Sequence, residues 1–395
     1  MLRLSLALAA AAVIAACQNP SEVGLGLIDD AGDDPQARVV GAATTDTLLA
    51  EVPTAGYANP NLGPPQGRVL VGAVMDAVYG DASAVAYVDA ARPSPVPEDF
   101  ADSTIVGIQL RLVRDYVYGE TTTEQTLELR AVEGAWTPIG LSPDTTLGTG
   151  SVLATATVGA LDDEVVFDLP ESYVSANDTT FTSTAFGSSF EGFALSLPDG
   201  AAPVPGAVLG FSTADSEIRA ITSGRDTLSF PVSEVYTRLT RSEPASALPA
   251  RQLLQGGAPV GLALTFGFEE LASLPLARAR FKLPLDPSLS GDEGSFRRPL
   301  ATSAALFSRE GDTRTLLASL APPDSANTTT LATLPNSATL TSTLQRLLLS
   351  TTTVDRFEVG LPSTPLSLDV LPVITEPLEG EPAPRFLLTV VGGSV

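Results

Sequence analysis

Histidine is absent from all 395 residues, and cysteine, lysine and tryptophan occur once each, as Cys17, Lys282 and Trp136. Without histidine the chain lacks the commonest general base, the Ser-His-Asp and Cys-His arrangements, and imidazole-bound zinc. A single cysteine excludes a disulfide within the chain. Aromatic residues make up only 6 %. No apolar run reaches the ~20 residues a membrane-spanning helix needs. Positive charge is also scarce: 46 Asp and Glu face 22 Lys and Arg, a net charge of −24. Such a balance disfavours nucleic acid and anionic lipid as partners of the whole surface. Any catalysis would rest on carboxylates, Tyr, Ser/Thr, Arg or Lys282, and the sequence is read as that of a non-enzyme, with no metal and no cofactor.

What is present begins at the N-terminus. Met1-Leu2-Arg3 is a short basic start, Leu4 to Ile14 is apolar, and Ile14-Ala15-Ala16-Cys17 follows. This is the layout of a secretory signal with small residues before the cut. The last four residues resemble a bacterial lipobox, with cleavage between Ala16 and Cys17 and a covalent lipid on Cys17. Two lipid signals suffice for stable anchoring. The expectation is therefore a protein of the bacterial cell envelope, anchored in the membrane, in the outer membrane by preference.

Domains of ~100–200 residues make two bodies the natural expectation for this length. Residues 1–16 read as the signal peptide and 17–45 as a lipidated acidic tether. Asp29, Asp30, Asp33 and Asp34 lack the spacing of a calcium loop and read as solvated linker. From residue 46 apolar residues alternate, as in Ile108, Leu110 and Leu112, then Val165, Phe167 and Leu169, then Phe193, Leu195 and Leu197. Gly, Pro, Asp and Asn separate the runs. Alternation between turn signals marks half-buried antiparallel strands, and many of them suggest a sandwich or jelly roll. The fold class is all-β: a first β-sandwich domain over 46–240, a linker over 241–250 and a second β-sandwich domain over 251–395. One short helix is expected in the second, where Leu340, Leu344, Leu347 and Leu348 share a helical face.

Several short segments carry a family likeness. Cys17-Gln18-Asn19-Pro20-Ser21-Glu22 leads to Gly24-Leu25-Gly26-Leu27-Ile28-Asp29. Val69-Leu70-Val71-Gly72 precedes Asp76-Ala77-Val78-Tyr79-Gly80. Asp102-Ser103, Tyr118-Gly119, Phe190-Glu191-Gly192-Phe193 and Leu254-Gln255-Gly256-Gly257 follow in order. In that order they resemble the domain-of-unknown-function 4270 family of bacterial lipoproteins, a family that implies an anchored exported protein and no assigned activity. Residues 103–168 also resemble, at the level of fold, jelly-roll modules found beside polysaccharide-degrading enzymes.

Tyr116 and Tyr118, two apart in an extended run, and Trp136 are the candidate ligand-binding residues, a small aromatic platform for a sugar. Packing within the sheet end is the competing reading of all three. Asp162-Asp163-Glu164 read as turn residues rather than a hydrolytic pair, because neighbours in a strand point apart. Arg278 and Arg280 read as a solvated face, with an anionic partner as the alternative. The expected role is binding or structural, holding a glycan or another envelope protein at the membrane surface. The alternatives are a carboxylate hydrolase of cell-surface polysaccharide and an assembly factor for exported proteins.

Overall fold

A computed structural model describes residues 36–49, 67–97, 99–138, 141, 145–199, 206–242, 248–257, 260–323, 329–334, 337–362, 366–376 and 383–391. Cys17, the Ala16–Cys17 cleavage site and the acidic run at 29–34 lie outside the described residues. In chain order the strands are β1 (Gln36–Leu49), β2 (Arg68–Val74), β3 (Ala82–Ala90), β4 (Ile105–Glu120), β5 (Glu124–Val132), β6 (Thr149–Gly159), β7 (Glu164–Asp168), β8 (Phe193–Ser196), β9 (Ala207–Thr222) and β10 (Thr227–Arg241). They continue with β11 (Arg251–Gln255), β12 (Val260–Phe266), β13 (Leu276–Pro284), β14 (Gly291–Glu293), β15 (Phe296–Arg298), β16 (Ala304–Glu310), β17 (Thr313–Ala321), β18 (Thr330–Thr333), β19 (Arg356–Gly360), β20 (Val370–Ile374) and β21 (Arg385–Val390). The helices are α1 (Glu171–Thr182), α2 (Phe186–Ser189) and α3 (Ala338–Leu348). The chain is all-β with antiparallel sheets, as the alternation predicts.

The first body is an 11-stranded sheet in the order β14-β15-β4-β9-β10-β3-β8-β5-β6, with β2 joining β3 to β9 and β7 beside β4. Long strands change neighbours partway. Residues 208–212 of β9 pair with β2, and residues 217–221 pair with β10. The sheet thereby folds over one core, which collects Val71, Val88, Leu110, Leu129, Phe167 and Leu209 from its different strands. Helices α1 and α2 add Phe181 and Phe186 to this core, where they meet Phe230 at ring distances of 5.2 and 4.5 Å. The alternation gave no sign of these two helices. The α1 stretch, rich in Ser, Asn, Asp and Thr, has weak helix propensity and buries only Val174 and Phe181.

The second body closes into a barrel, β1-β12-β19-β16-β17-β18-β13-β21. Alternation cannot distinguish a closed barrel from a sandwich, because both bury every second residue. Phe281, Phe357 and Phe386 fill its interior with Leu264, Leu283 and Leu306. Helix α3, capped by Ser337, turns Leu340, Leu344 and Leu348 into the same core. It also supplies hydrogen bonds along β13: Ala279 N–H donates to Thr341 Oγ1. The helix thus buries the face that its leucines predict.

The domain boundaries need correction. Residues 36–45 are not tether: β1 pairs through Gln36–Gly41 with β21 and through Ala42–Leu49 with β12. The segment is Ala-, Gly- and Thr-rich and reads as linker, yet Val40 and Ala42 pack on the barrel core. The barrel therefore takes a stave from a part of the chain that precedes the first body. The exchange runs the other way too. The β14–β15 hairpin, in the second half of the chain, pairs with β4 through Phe296–Glu120 and Arg297–Gly119. Between the bodies lies a seam. A ribbon of β11 and β20 gives Leu254, Leu371 and Val373 to the barrel core and Leu253 and Val370 to a cluster with Leu70, Tyr79, Tyr116, Tyr118 and Val208.

Candidate functional site

Tyr116 and Tyr118 do face the same side of β4, but that side is the seam. Tyr116 is 8 % exposed and Tyr118 is fully buried. The Tyr118 hydroxyl donates to Asp76 Oδ2, and the Tyr116 hydroxyl accepts from Leu368 N–H at 3.0 Å. Burial pushes both phenols above their usual range. Neither ring offers a face to a ligand, which corrects the expected platform. Both tyrosines instead join the two bodies.

At the centre of the seam sits Asp76, 1 % exposed. Arg298, delivered by the β14–β15 hairpin, donates to it from Nε at 2.9 Å and Nη2 at 3.1 Å. The backbone N–H of Val78 adds a bond at 2.8 Å. Burial raises the Asp76 carboxyl, but the bonds from Arg298, Tyr118 and Val78 outweigh it and the net shift is downward. Gly119 lets the chains approach here: it sits at φ +114, and a Cβ would meet Gly206 O at 2.5 Å and Val74 Cγ2 at 2.6 Å. Nearby, Arg68 forms a two-pronged pair with Asp115 at 2.7 and 2.9 Å and lies 4.5 Å above the Tyr116 ring.

Trp136 lies elsewhere, in a satellite cluster with Tyr87, Val132, Ala194 and Tyr236. It is half-buried, its indole N–H donates to Glu191 O at 2.8 Å, and its ring meets Tyr87 edge-on at 6.5 Å. Tyr87 stacks on Tyr236 at 5.6 Å. Trp136 therefore does not join Tyr116 and Tyr118. The sheet face that bears Tyr87 and Tyr236 also carries a carboxylate pair absent from the sequence reading: Asp89 on β3 stands directly opposite Glu234 on β10. Like charges facing across a ladder are destabilising. Burial, with Glu234 as a further contribution, pushes the Asp89 carboxyl up to about 7, against a single hydrogen bond from Ala90 N–H. Burial raises Glu234 as well.

A third feature is a cavity of about 320 Å³ at one end of the barrel, lined by Phe266, Phe268, Phe357, Leu347 and Val354 with Glu269, Asp355 and Arg356 among the polar groups. Phe266 and Phe268 are half-buried, with ring centroids 6.0 Å apart. Arg356 is steadied by Glu358 at 3.0 Å, itself buried and shared with Arg314. The Asp355 carboxylate accepts from Gly311 N–H at 2.7 Å. Phe266 and Phe357 were legible as strand residues, but only closure of the barrel puts them around one opening.

The remaining candidates sit as turn and surface residues. Asp162 accepts from Gly159 N–H at 2.7 Å and closes the β6–β7 turn, while Asp163 and Glu164 pair with Arg114 and Arg111. Among the described residues no three acidic side chains converge as a metal site would require. Comparison with protein-family models finds no matching family, and comparison with curated proteins finds no match. Of the short segments quoted from the sequence, Asp76, Tyr79 and Tyr118-Gly119 lie along the seam.

Proposed function

We propose that this chain is a lipid-anchored binding or structural protein of the bacterial envelope, held through Cys17, that takes a glycan unit at the mouth of its barrel. The observation that carries the reading is the cavity of about 320 Å³ whose lining combines Phe266 and Phe268 with Glu269, Asp355 and Arg356. Small-molecule sites favour barrel mouths and combine apolar walls with a few placed polar groups. An aromatic ring matches the C–H face of a sugar, and the charged side chains match its hydroxyls. The lipobox-like end of the sequence supports attachment, and fatty-acid labelling of the full chain tests it: label retained on Cys17→Ser would remove the anchor.

A glycan array with the soluble chain tests the ligand. Replacing Phe268 by alanine is expected to weaken binding about 2–10-fold, the worth of one aromatic contact. Binding unchanged by Phe268→Ala would move the site elsewhere. The facing pair Asp89 and Glu234 favours a second reading, a carboxylate hydrolase of envelope polysaccharide. Turnover abolished by Asp89→Asn would establish that reading over the first.

A further inference from the structure

The barrel carries a local reversal of the chain's charge. On β13, Arg278, Arg280 and Lys282 alternate with Ala279, Phe281 and Leu283, which are fully buried. The three cations therefore project from the outer side of the barrel wall. On the adjoining strand β21, Arg385 stands directly opposite Lys282, with Leu387 opposite Arg280. Beyond it lie Val39 and Gly41 of β1, opposite Leu387 and Arg385, and Val39 is 65 % exposed. No carboxylate occurs in β13, β21 or residues 36–45 of β1, in a chain where acids outnumber bases 46 to 22. Burial and then the charges of Arg385 and Arg280 lower the affinity of Lys282 for its proton. Arg278 and Arg385 also interact within the molecule. Arg280 Nε is buried without a hydrogen bond, and neither Arg280 nor Lys282 has an acidic partner among the described residues.

Like charges gathered on one sheet face cost stability, and an anion laid across Arg280 and Lys282 would offset that cost. Exposed Val39 beside the cations suits an interface that is part apolar and part anionic. The chain arriving from Cys17 enters the described fold at Gln36, the first residue of β1, whose ladder with β21 forms part of this face. We propose that the β13–β21–β1 face docks on the anionic phospholipid headgroups of the bilayer that holds the anchor. The proposal deepens the anchored reading above and rests on it for its orientation. The chain's total charge does not oppose it at close range, since charges more than about 8 Å apart are largely screened at physiological salt. A bilayer in contact meets the face, not the sum.

Vesicle co-sedimentation tests this with the Cys17→Ser chain, so that a covalent lipid plays no part. Vesicles of phosphatidylcholine alone are compared with vesicles containing phosphatidylglycerol, at low and physiological salt. Stronger partition into the anionic vesicles, weakened by salt, is expected. Arg280→Gln and Lys282→Gln should each reduce it about fivefold, with the circular dichroism spectrum unchanged. Arg219→Gln, on the first body, should leave it as it was. Equal partition into both vesicle types, or equal loss in all three variants, would overturn the proposal. So would capture by soluble dextran sulfate without vesicle binding, which would make the partner an anionic polymer. Because labelling of Cys17 is read on the full chain and vesicle binding on the unlipidated one, loss of either result is distinguishable from loss of the other.

Discussion

Asp76 and Asp89 are both carboxylates withdrawn from water in the first body, and the protein treats them in opposite ways. Burial pushes each upward. Asp76 meets Arg298, Tyr118 and a backbone N–H, and its carboxyl ends below the usual range. Asp89 meets one backbone N–H and faces Glu234. The contrast shows that partners, more than depth, decide the charge of a buried acid. It also separates roles: a fully bonded acid ties a hairpin from the second half of the chain to the first body, whereas the underbonded pair keeps a raised carboxyl on the other sheet face.

The comparison breaks most sharply at Arg298. Replacing Arg298 by alanine leaves Asp76 buried without its counter-charge, and removing one partner of a buried pair costs about 3–5 kcal/mol. Urea denaturation should show that loss, and the double variant Arg298→Ala/Asp76→Asn should recover part of it. A loss below about 1 kcal/mol, the range of exposed pairs, would mean the seam is not held by this bond.

A smaller and pH-dependent effect is expected at Asp89. Its raised pKa means that its stabilising contribution is fully present below the unfolded-state value of ~3.9 and is lost as pH climbs to about 7. Asp89→Asn should therefore melt above the native protein at pH 8 and alongside it near pH 4. Asp76 runs in the reverse sense: its lowered pKa gives stability that is present above the unfolded value and disappears on acidification. Melting curves across pH that fail to separate Asp89→Asn from the native chain would dissolve the contrast between the two acids.

The smallest effect should come from Trp136. Its hydrogen bond to Glu191 and its edge contact with Tyr87 suggest a loss of about 1–2 kcal/mol on replacement by alanine. Thermal denaturation measures it. If glycan binding falls as well, the face that holds Asp89 and Glu234 takes part in recognition, which sharpens the division between fully bonded and underbonded acids.

Much of the strand pattern was legible because alternation is a local property. Ile108, Leu110 and Leu112 are buried as expected, while Val106 is 57 % exposed because the register shifts between Ile105 and Gly107. Helix α3 announced itself through leucines on one face. The site residues were less legible because they depend on partners remote in the chain. Tyr116 and Tyr118 were rightly placed on one side of an extended run, yet that run is the end of β4 and not a connection, and nothing local says that Arg298, 222 residues from Asp76, arrives to cover that side. The Asp89–Glu234 pair depends on the register of β3 against β10. The barrel cavity needs the ends of β12, α3 and β19 to meet, which no local pattern shows.

The β1 stave also decides how the molecule bears load. Force pulling on the chain ahead of Gln36 enters the barrel along β1, first through its ladder to β21 and then through its ladder to β12. Hydrogen bonds in an antiparallel ladder lie across the strands, so a pull along β1 shears them together instead of opening them one by one. The first body, whose strands come next in the sequence, lies outside that path. Tension entering at Gln36 therefore meets the two barrel ladders of β1 before it reaches the strands of the first body.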